Sequence, residues 1–572
     1  MRALIVSLVA AVACVSALEV HAETPLTAME AYERVQAMRH EAGDMAKDHT
    51  EEGLRKAIAH LQSALELLDR PDIRERATGN VFLYFRGHDV RMNLAEAYAE
   101  LGEKDKALAM LEQMQGYGWI PGLNAFLARD EAFAKLKDEP RFRAFVARGE
   151  LAGRLWKAPA IASPYRERLG VEERIAGLSL FWAEARQNFV HFDHVPDLEW
   201  DKVYLEYIPK VTAAETTRDY YRVMMQLAPL LQDGHTNIYP PKELAEAFYA
   251  RPPLRTRKVE DKVLVTDVFS PSLAQRIAAG EEIVSIDGVP VLRYAQERVR
   301  PFASSSTPQD LDVRLFTYQL LGGDKDQPLR LALRGPDGKQ HEEVVARSGY
   351  SDVAYPARFG FRMLDNGVAY LALDHFESDA GVKAFVQALP AIAKSKGLVL
   401  DLRHNGGGST NFGLEILSYL TRDPVPTAIS RMRADFGARR ADMVQWVPFP
   451  GSGQPYRRSH EIHFEGPVAV LVGPETFSAA EDFVVSFDLM KRGILVGQRT
   501  AGSTGQPLTF MLPGGGQARI CAKRDLYPDG REFVGSGIAP DIPVSQTVDD
   551  YRSGRDPALD RAAAALLARA KG

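Results

Sequence analysis

Ser478 stands in Gly473-Pro-Glu-Thr-Phe-Ser-Ala-Ala-Glu-Asp-Phe483, directly after the apolar run Pro467–Val472. A serine hydroxyl attacks an amide carbonyl poorly unless a base takes its proton. At the start of a helix, just past a strand, Ser478 would gain the amide dipoles of that helix, and the Ala479 N–H would point at an oxyanion formed there. The same residues fit a plainer role. Ser-x-x-Glu is a capping box, in which Ser478 and Glu481 satisfy each other's free backbone N–H groups. Phe477 would staple onto residue 482, but that residue is Asp, so only half of the N-terminal packing motif is present. A second cluster, Gly406-Gly407-Gly408, follows the apolar run Leu398–Arg403. Without a Cβ, the N–H of Gly407 can approach closely and serve with Ala479 as an oxyanion hole.

Histidine is the usual base because it titrates near neutrality. His235 lies in the predicted turn Asp233-Gly234-His235-Thr236 after a helical stretch. Its nearest rival, His404, reads as a solvated turn histidine, and His375 as a strand-end or cleft residue. Asp401 reads as a salt-bridge partner, and Arg403 and Asn405 as supports of the glycine loop. His191/His194 and His460/His463 have helical ligand spacing but no clear third ligand, so neither metal nor cofactor is expected.

The elements that must position these groups fall into blocks. Leu54, Ile58, Leu61, Leu65 and Leu68 share a helical face, as do Leu94, Ala97, Tyr98 and Leu101, which Gly102 closes. Residues 156–170 have linker composition, and 171–230 are again helical. Residues 261–269 alternate as a strand, and a further strand at 282–286 runs into an Asp-Gly turn. From 360 to 550 strands alternate with helices, a βαβ signal that places ligand chemistry beyond the strand C-termini, where Gly406–Gly408 and Ser478 both fall.

Four ordered segments, "LVLDLRHNGGG", "VAVLVGPETFSAAEDF", "GILVGQRTAGSTGQ" and "GSGIAPDIPV", resemble the serine peptidases of the C-terminal processing and tricorn type. The resemblance covers roughly residues 165–550. It implies a multidomain α/β protein with a crotonase-like core. "PSLAQRIAAGEEIVSIDGVPV" resembles a PDZ domain, and "AEAYAELGEKDKALAMLEQM" a tetratricopeptide repeat. The implied layout is a signal peptide at 1–22, a helical repeat-like domain at 23–155, a helical peptidase domain at 165–250, a PDZ-like domain at 254–346 and the α/β core at 355–560. The C-terminal processing branch carries its catalytic lysine where this chain has Ser503, so that dyad is excluded. The tricorn branch takes a histidine from the helical domain, which implies His235 as base. It takes its third group, a glutamate, from the segment before the closing Gly-Ile-x-Pro-Asp, where Glu532 is available two residues from the usual place. Asp233 and Glu481 are the fallbacks.

The resemblance thus implies an endopeptidase with Ser478, His235 and Glu532 as catalytic residues. The rival is an inactive binding protein on the same scaffold. A net charge of −6 with no long basic run argues against nucleic acid as a partner. The partners implied are a peptide or protein substrate and a protein docking on the N-terminal helices. Residues 1–22 read as an export signal, with lipidation at Cys14 as the alternative, and no other stretch is apolar enough for a membrane span. Without the signal one thiol remains, Cys521, so no internal disulfide forms. It reads as a core residue.

Overall fold

The computed structural model describes residues 26–569 apart from 79–80, 115–126, 128, 350–351, 354–357, 436–443, 450 and 459. The expected export signal and Cys14 lie outside the described residues. The chain divides into two units, Met1–Leu155 and Trp156–Gly572.

The first unit is helical throughout its described part. Helices Ala28–Ala46, Glu51–Asp69, Pro71–Thr78, Val81–Glu100 and Lys104–Met114 pack on a core that includes Leu54, Leu61, Leu94 and Leu108. Thr27 and Glu30 form a full capping box, and Gly102 takes φ +77° just past the fourth helix. That is the left-handed conformation glycine reaches without penalty.

The second unit is built on a six-stranded sheet. Its strands are β1 (Phe361–Met363), β2 (Ala369–Ala372), β3 (Leu398–Asp401), β4 (Val468–Val472), β5 (Gly493–Gly497) and β6 (Ile542–Pro543). The order is β6-β5-β4-β3-β2-β1, parallel except for the β1–β2 hairpin. β3 and β4 are buried along their whole length, as apolar runs without alternation require when both faces are covered. Phe376, Phe385, Leu417 and Phe483 fill one face; Leu559, Ala562 and Leu566 of the helix Pro557–Arg569 cover the other.

A second sheet of five successive antiparallel strands spans Leu254–Val259, Lys262–Val268, Glu282–Ile286, Leu329–Arg334 and Gln340–Val345, with Val289–Pro290 paired to its third strand. A three-stranded sheet does the positioning. The strand Asn237–Tyr239, two residues after His235, pairs antiparallel with Gln517–Cys521, which pairs with Pro507–Met511. Ala518 and Ile520 of this sheet share one apolar core with Leu178, Phe181 and Leu231 of the helical segment. No helix among the described residues is long and apolar enough to cross a membrane.

Candidate active site

β4 ends at Val472, and the chain turns through Gly473–Phe477 into the helix Ala479–Leu489. Ser478 sits at that junction with φ 60° and ψ −126°. A non-glycine residue there carries about 1–3 kcal/mol of backbone strain. The surroundings hold it: its N–H donates to Ser503 O at 3.0 Å, and its carbonyl accepts from Glu481 N at 2.7 Å. Its side chain makes no capping bond. The capping box of the sequence reading therefore does not form, because the twisted backbone aims the hydroxyl away from the helix N–H groups. Oγ lies 3.0 Å from His235 Nε2.

His235 reaches this point through a tight turn. Asp233 Oδ1 accepts from the His235 N–H at 3.0 Å and from Thr236 Oγ1 at 2.9 Å. A Cβ at Gly234 would lie 2.8 Å from Ser503 Oγ and 3.0 Å from both Asp310 Oδ2 and Phe477 Cε2, so only glycine lets the turn come this close. The imidazole stacks on Phe477, with centroids 4.5 Å apart and planes 7° from parallel. Arg314 covers the same phenyl ring at 4.7 Å. Burial holds His235 well below the ordinary histidine range, and Arg519, Arg314 and Lys523 push it the same way. At neutral pH the ring is therefore uncharged, as a proton acceptor must be.

The other ring nitrogen, Nδ1, meets Ser503 Oγ at 2.9 Å. Ser503 is fixed in turn by Glu481. Oε2 of that buried carboxylate accepts the Ser503 N–H at 2.8 Å, and Oε1 accepts Gly502 N–H at 2.8 Å and Thr500 Oγ1–H at 2.6 Å. Glu481 thus braces the loop carrying the partner of His235 rather than capping its own helix. Burial pushes its carboxyl up to about 8, against the pull of these three donors.

Glu532 lies elsewhere. Its carboxylate pairs with Arg524 at 2.6 Å and sits 4.0 Å from His194. The two-residue offset noted in the sequence sends it to this ion pair, and Ser503 holds the position by Nδ1. Gly407 does not offer its N–H to the site. Its N–H donates to Asn405 Oδ1 at 2.9 Å. Gly407 is needed for closeness instead: at φ +94°, a Cβ would come within 2.7 Å of Ser478 Cβ and of Phe477 O. Gly408 bridges Phe376 through its neighbours, as Phe376 N–H donates to Gly407 O and Ser409 N–H to Phe376 O. Alternation then turns the Gly408 N–H away from Phe376. Among the described residues neither it nor the Ala479 N–H has a protein acceptor.

Asn405 Nδ2 donates to Leu373 O at 2.7 Å, which fixes the glycine loop to the end of β2. Asp401 and Arg403 form an ion pair that Asp556 extends. His404 is no solvated turn residue: it lies 3.4 Å from Glu475, which also binds Arg255 and Arg257. His375 packs edge-on against Phe359. His460 accompanies Tyr419 and Ser418 outside any helix. Ser503 and Phe477 were visible in the sequence but carried no signal of their roles. Glu481 carried the signal of a different one.

Residues 367–544 match peptidase family S41. The matched segment contains Ser478, the glycine loop, Ser503 and Glu532, whereas His235 precedes it. The chain is similar to the chloroplastic C-terminal processing peptidase of Tetradesmus obliquus, 25% identical over 47% of this chain and 53% of that protein. It is also similar to a carboxy-terminal-processing protease of Bartonella bacilliformis, 24% identical over 44% of this chain and 56% of that one. It spans about half the length of these relatives. In fold it resembles mature CPAF complexed with lactacystin, with a TM-score of 0.56 at 15% identity, covering 69% of this chain and 98% of that one.

Burial of Glu481 has a measurable consequence. Its folded value of about 8 exceeds its ordinary 4.5, so between these pH values the folded chain holds a proton that the unfolded chain has released. Its contribution to stability is full below about 4.5 and is lost as pH rises through about 8. Melting curves should show that decline. Glu481→Gln should lower stability by about 1–3 kcal/mol, since an amide NH₂ then faces an N–H donor, and remove this part of the slope. An unchanged slope would contradict the assignment.

Proposed function

We propose that this chain is a serine endopeptidase. The observation carrying the reading is the hydrogen-bonded series Ser478 Oγ, His235 Nε2, His235 Nδ1, Ser503 Oγ. With its proton on Nδ1, donated to Ser503, the imidazole presents the Nε2 lone pair to the serine hydroxyl. Ser478 attacks the peptide carbonyl, and His235 takes its proton and returns it to the leaving amine. The Ala479 and Gly408 N–H groups receive the oxyanion. Water, deprotonated by the same histidine, then resolves the acyl-enzyme. The S41 match and the names of its relatives support a protein substrate.

Ser503 is the positioning residue in place of a carboxylate. A hydroxyl fixes the tautomer of His235 but brings no charge to stabilise the imidazolium. The wider reading includes export by residues 1–22, a crotonase-like core and a PDZ-like role for residues 254–346 in presenting a peptide end. It also assigns the N-terminal helices to partner docking.

Cleavage of a peptide library by purified protein tests the activity, with Ser478→Ala as the blank. Ser503→Ala and Glu532→Gln test the positioning. Ser503→Ala should cut turnover about 10–100-fold, the effect of losing an orienting hydrogen bond of about 1.5–3 kcal/mol. Glu532→Gln should leave turnover within about twofold, since it touches only a partly exposed ion pair. The reverse ranking would restore Glu532 as the third group.

A further inference from the structure

The turn that carries His235 has a second polar centre, which the proposed peptidase chemistry does not use. Asp233 is 1% exposed, and while its Oδ1 serves the turn, its Oδ2 has no hydrogen-bond partner. His191 is equally buried, and both of its ring nitrogens are without partners. Cys521 is fully buried at the end of the strand Gln517–Cys521, its Sγ making only long contacts of 3.4 Å to Lys523 O and 3.7 Å to Thr504 O. One ligand atom from each of these three residues lies within 4.8 Å of the others. Burying the His191 ring and the Asp233 Oδ2 without partners, beside a thiol held only by long contacts, costs their hydration and returns little unless something binds them.

We infer that His191, Asp233 and Cys521 form a zinc site. The donor set selects the ion. One imidazole, one thiolate and one carboxylate suit zinc, whereas magnesium and calcium take oxygen ligands. Charge selects it too: a thiolate and a carboxylate neutralise a divalent cation, so the loaded site buries no net charge. Ligand atoms on a tetrahedral zinc stand about 3.5 Å apart, so the three side chains need close by only about 1 Å. The Cys521 thiol releases its proton to solvent on binding, and water completes the fourth position. Three separate segments would be joined: the chain after the helix Val171–Asn188, the turn before His235 and the strand Gln517–Cys521. Backbone already links them, through Val190 N–H to Cys521 O at 3.3 Å and Cys521 N–H to Thr236 Oγ1 at 3.1 Å. The ion would act as a staple on the turn that aims His235.

A neighbouring group, His191 with Asp193 and His194, is the weaker choice. Both Asp193 oxygens already receive Arg524, at 3.0 and 2.8 Å.

The test uses the full chain, stripped with chelator and titrated with Co²⁺ and then Zn²⁺. One Co²⁺ per chain should bind with an intense near-ultraviolet thiolate-to-metal band and tetrahedral visible bands, and Zn²⁺ should displace it. Zn²⁺ should raise the melting temperature of the wild type. Cys521→Ser should lose the near-ultraviolet band and at least about a hundredfold in zinc affinity, more than an outer-shell change costs. Ser478→Ala should bind as the wild type does, which separates this site from the peptidase reading. Absence of the thiolate band in the wild type would overturn the inference without recourse to any variant. So would zinc stabilisation that survives in Cys521→Ser, or one lost only with Asp193→Asn.

Discussion

Ser478→Ala is expected to end peptide hydrolysis, with a loss in kcat of about a millionfold, while the fold stays as stable as before. The size follows from removing the atom that forms the acyl bond, which leaves only the oxyanion donors and substrate binding to act on water. The unchanged stability follows from the geometry. Ser478 makes no capping bond, so none is lost, and a neutral surface-like change of about 0.5 kcal/mol or less is expected instead of the roughly 1 kcal/mol of a lost cap. Ser478→Gly separates function from strain. Glycine takes φ 60° freely, so this variant should be inactive yet more stable than the wild type by about 1 kcal/mol. Denaturant unfolding of both variants checks this. A glycine variant less stable than the alanine one would mean that the backbone at 478 is not strained.

His235→Ala should lose about ten-thousandfold or more in kcat/KM, because among the described residues His235 is the side chain that hydrogen-bonds the Ser478 hydroxyl and can take its proton. It also leaves a buried cavity against Phe477, at a cost of about 3 kcal/mol. His235→Gln keeps most of that volume and serves as the folded control. It should be equally inactive while melting close to the wild type. Substantial turnover by a folded His235→Gln would require a different base.

Much of this site is legible in the sequence because its parts lie at ends of strong elements. The apolar runs that become β3 and β4 place the glycine loop and Ser478 side by side, and Asp-Gly-His-Thr places the histidine at a turn. What stays hidden are choices among hydrogen-bond partners. Ser-x-x-Glu reads as a capping box on local propensity, but Ser503 O and the approach of Gly407 force Ser478 into a left-handed backbone. Glu481 then turns to the N–H groups of residues 502 and 503, some twenty positions on. Gly407 lacks the Cβ that would collide with Ser478, but the Asn405 side chain claims its N–H from two residues away. Glu532 lies two residues from the place the resemblance implies, and an ion pair with Arg524, eight positions earlier, decides its position. His191 has the spacing of a ligand, but its companions come from residues 233 and 521, which no local pattern connects.

The most direct test of the central claim is a fluorophosphonate probe followed by peptide mapping of the adduct. Nucleophilic attack by an activated serine predicts one adduct per chain, on Ser478, that fails to form in His235→Gln. An unlabelled wild-type protein, or an adduct on another serine, would contradict the account.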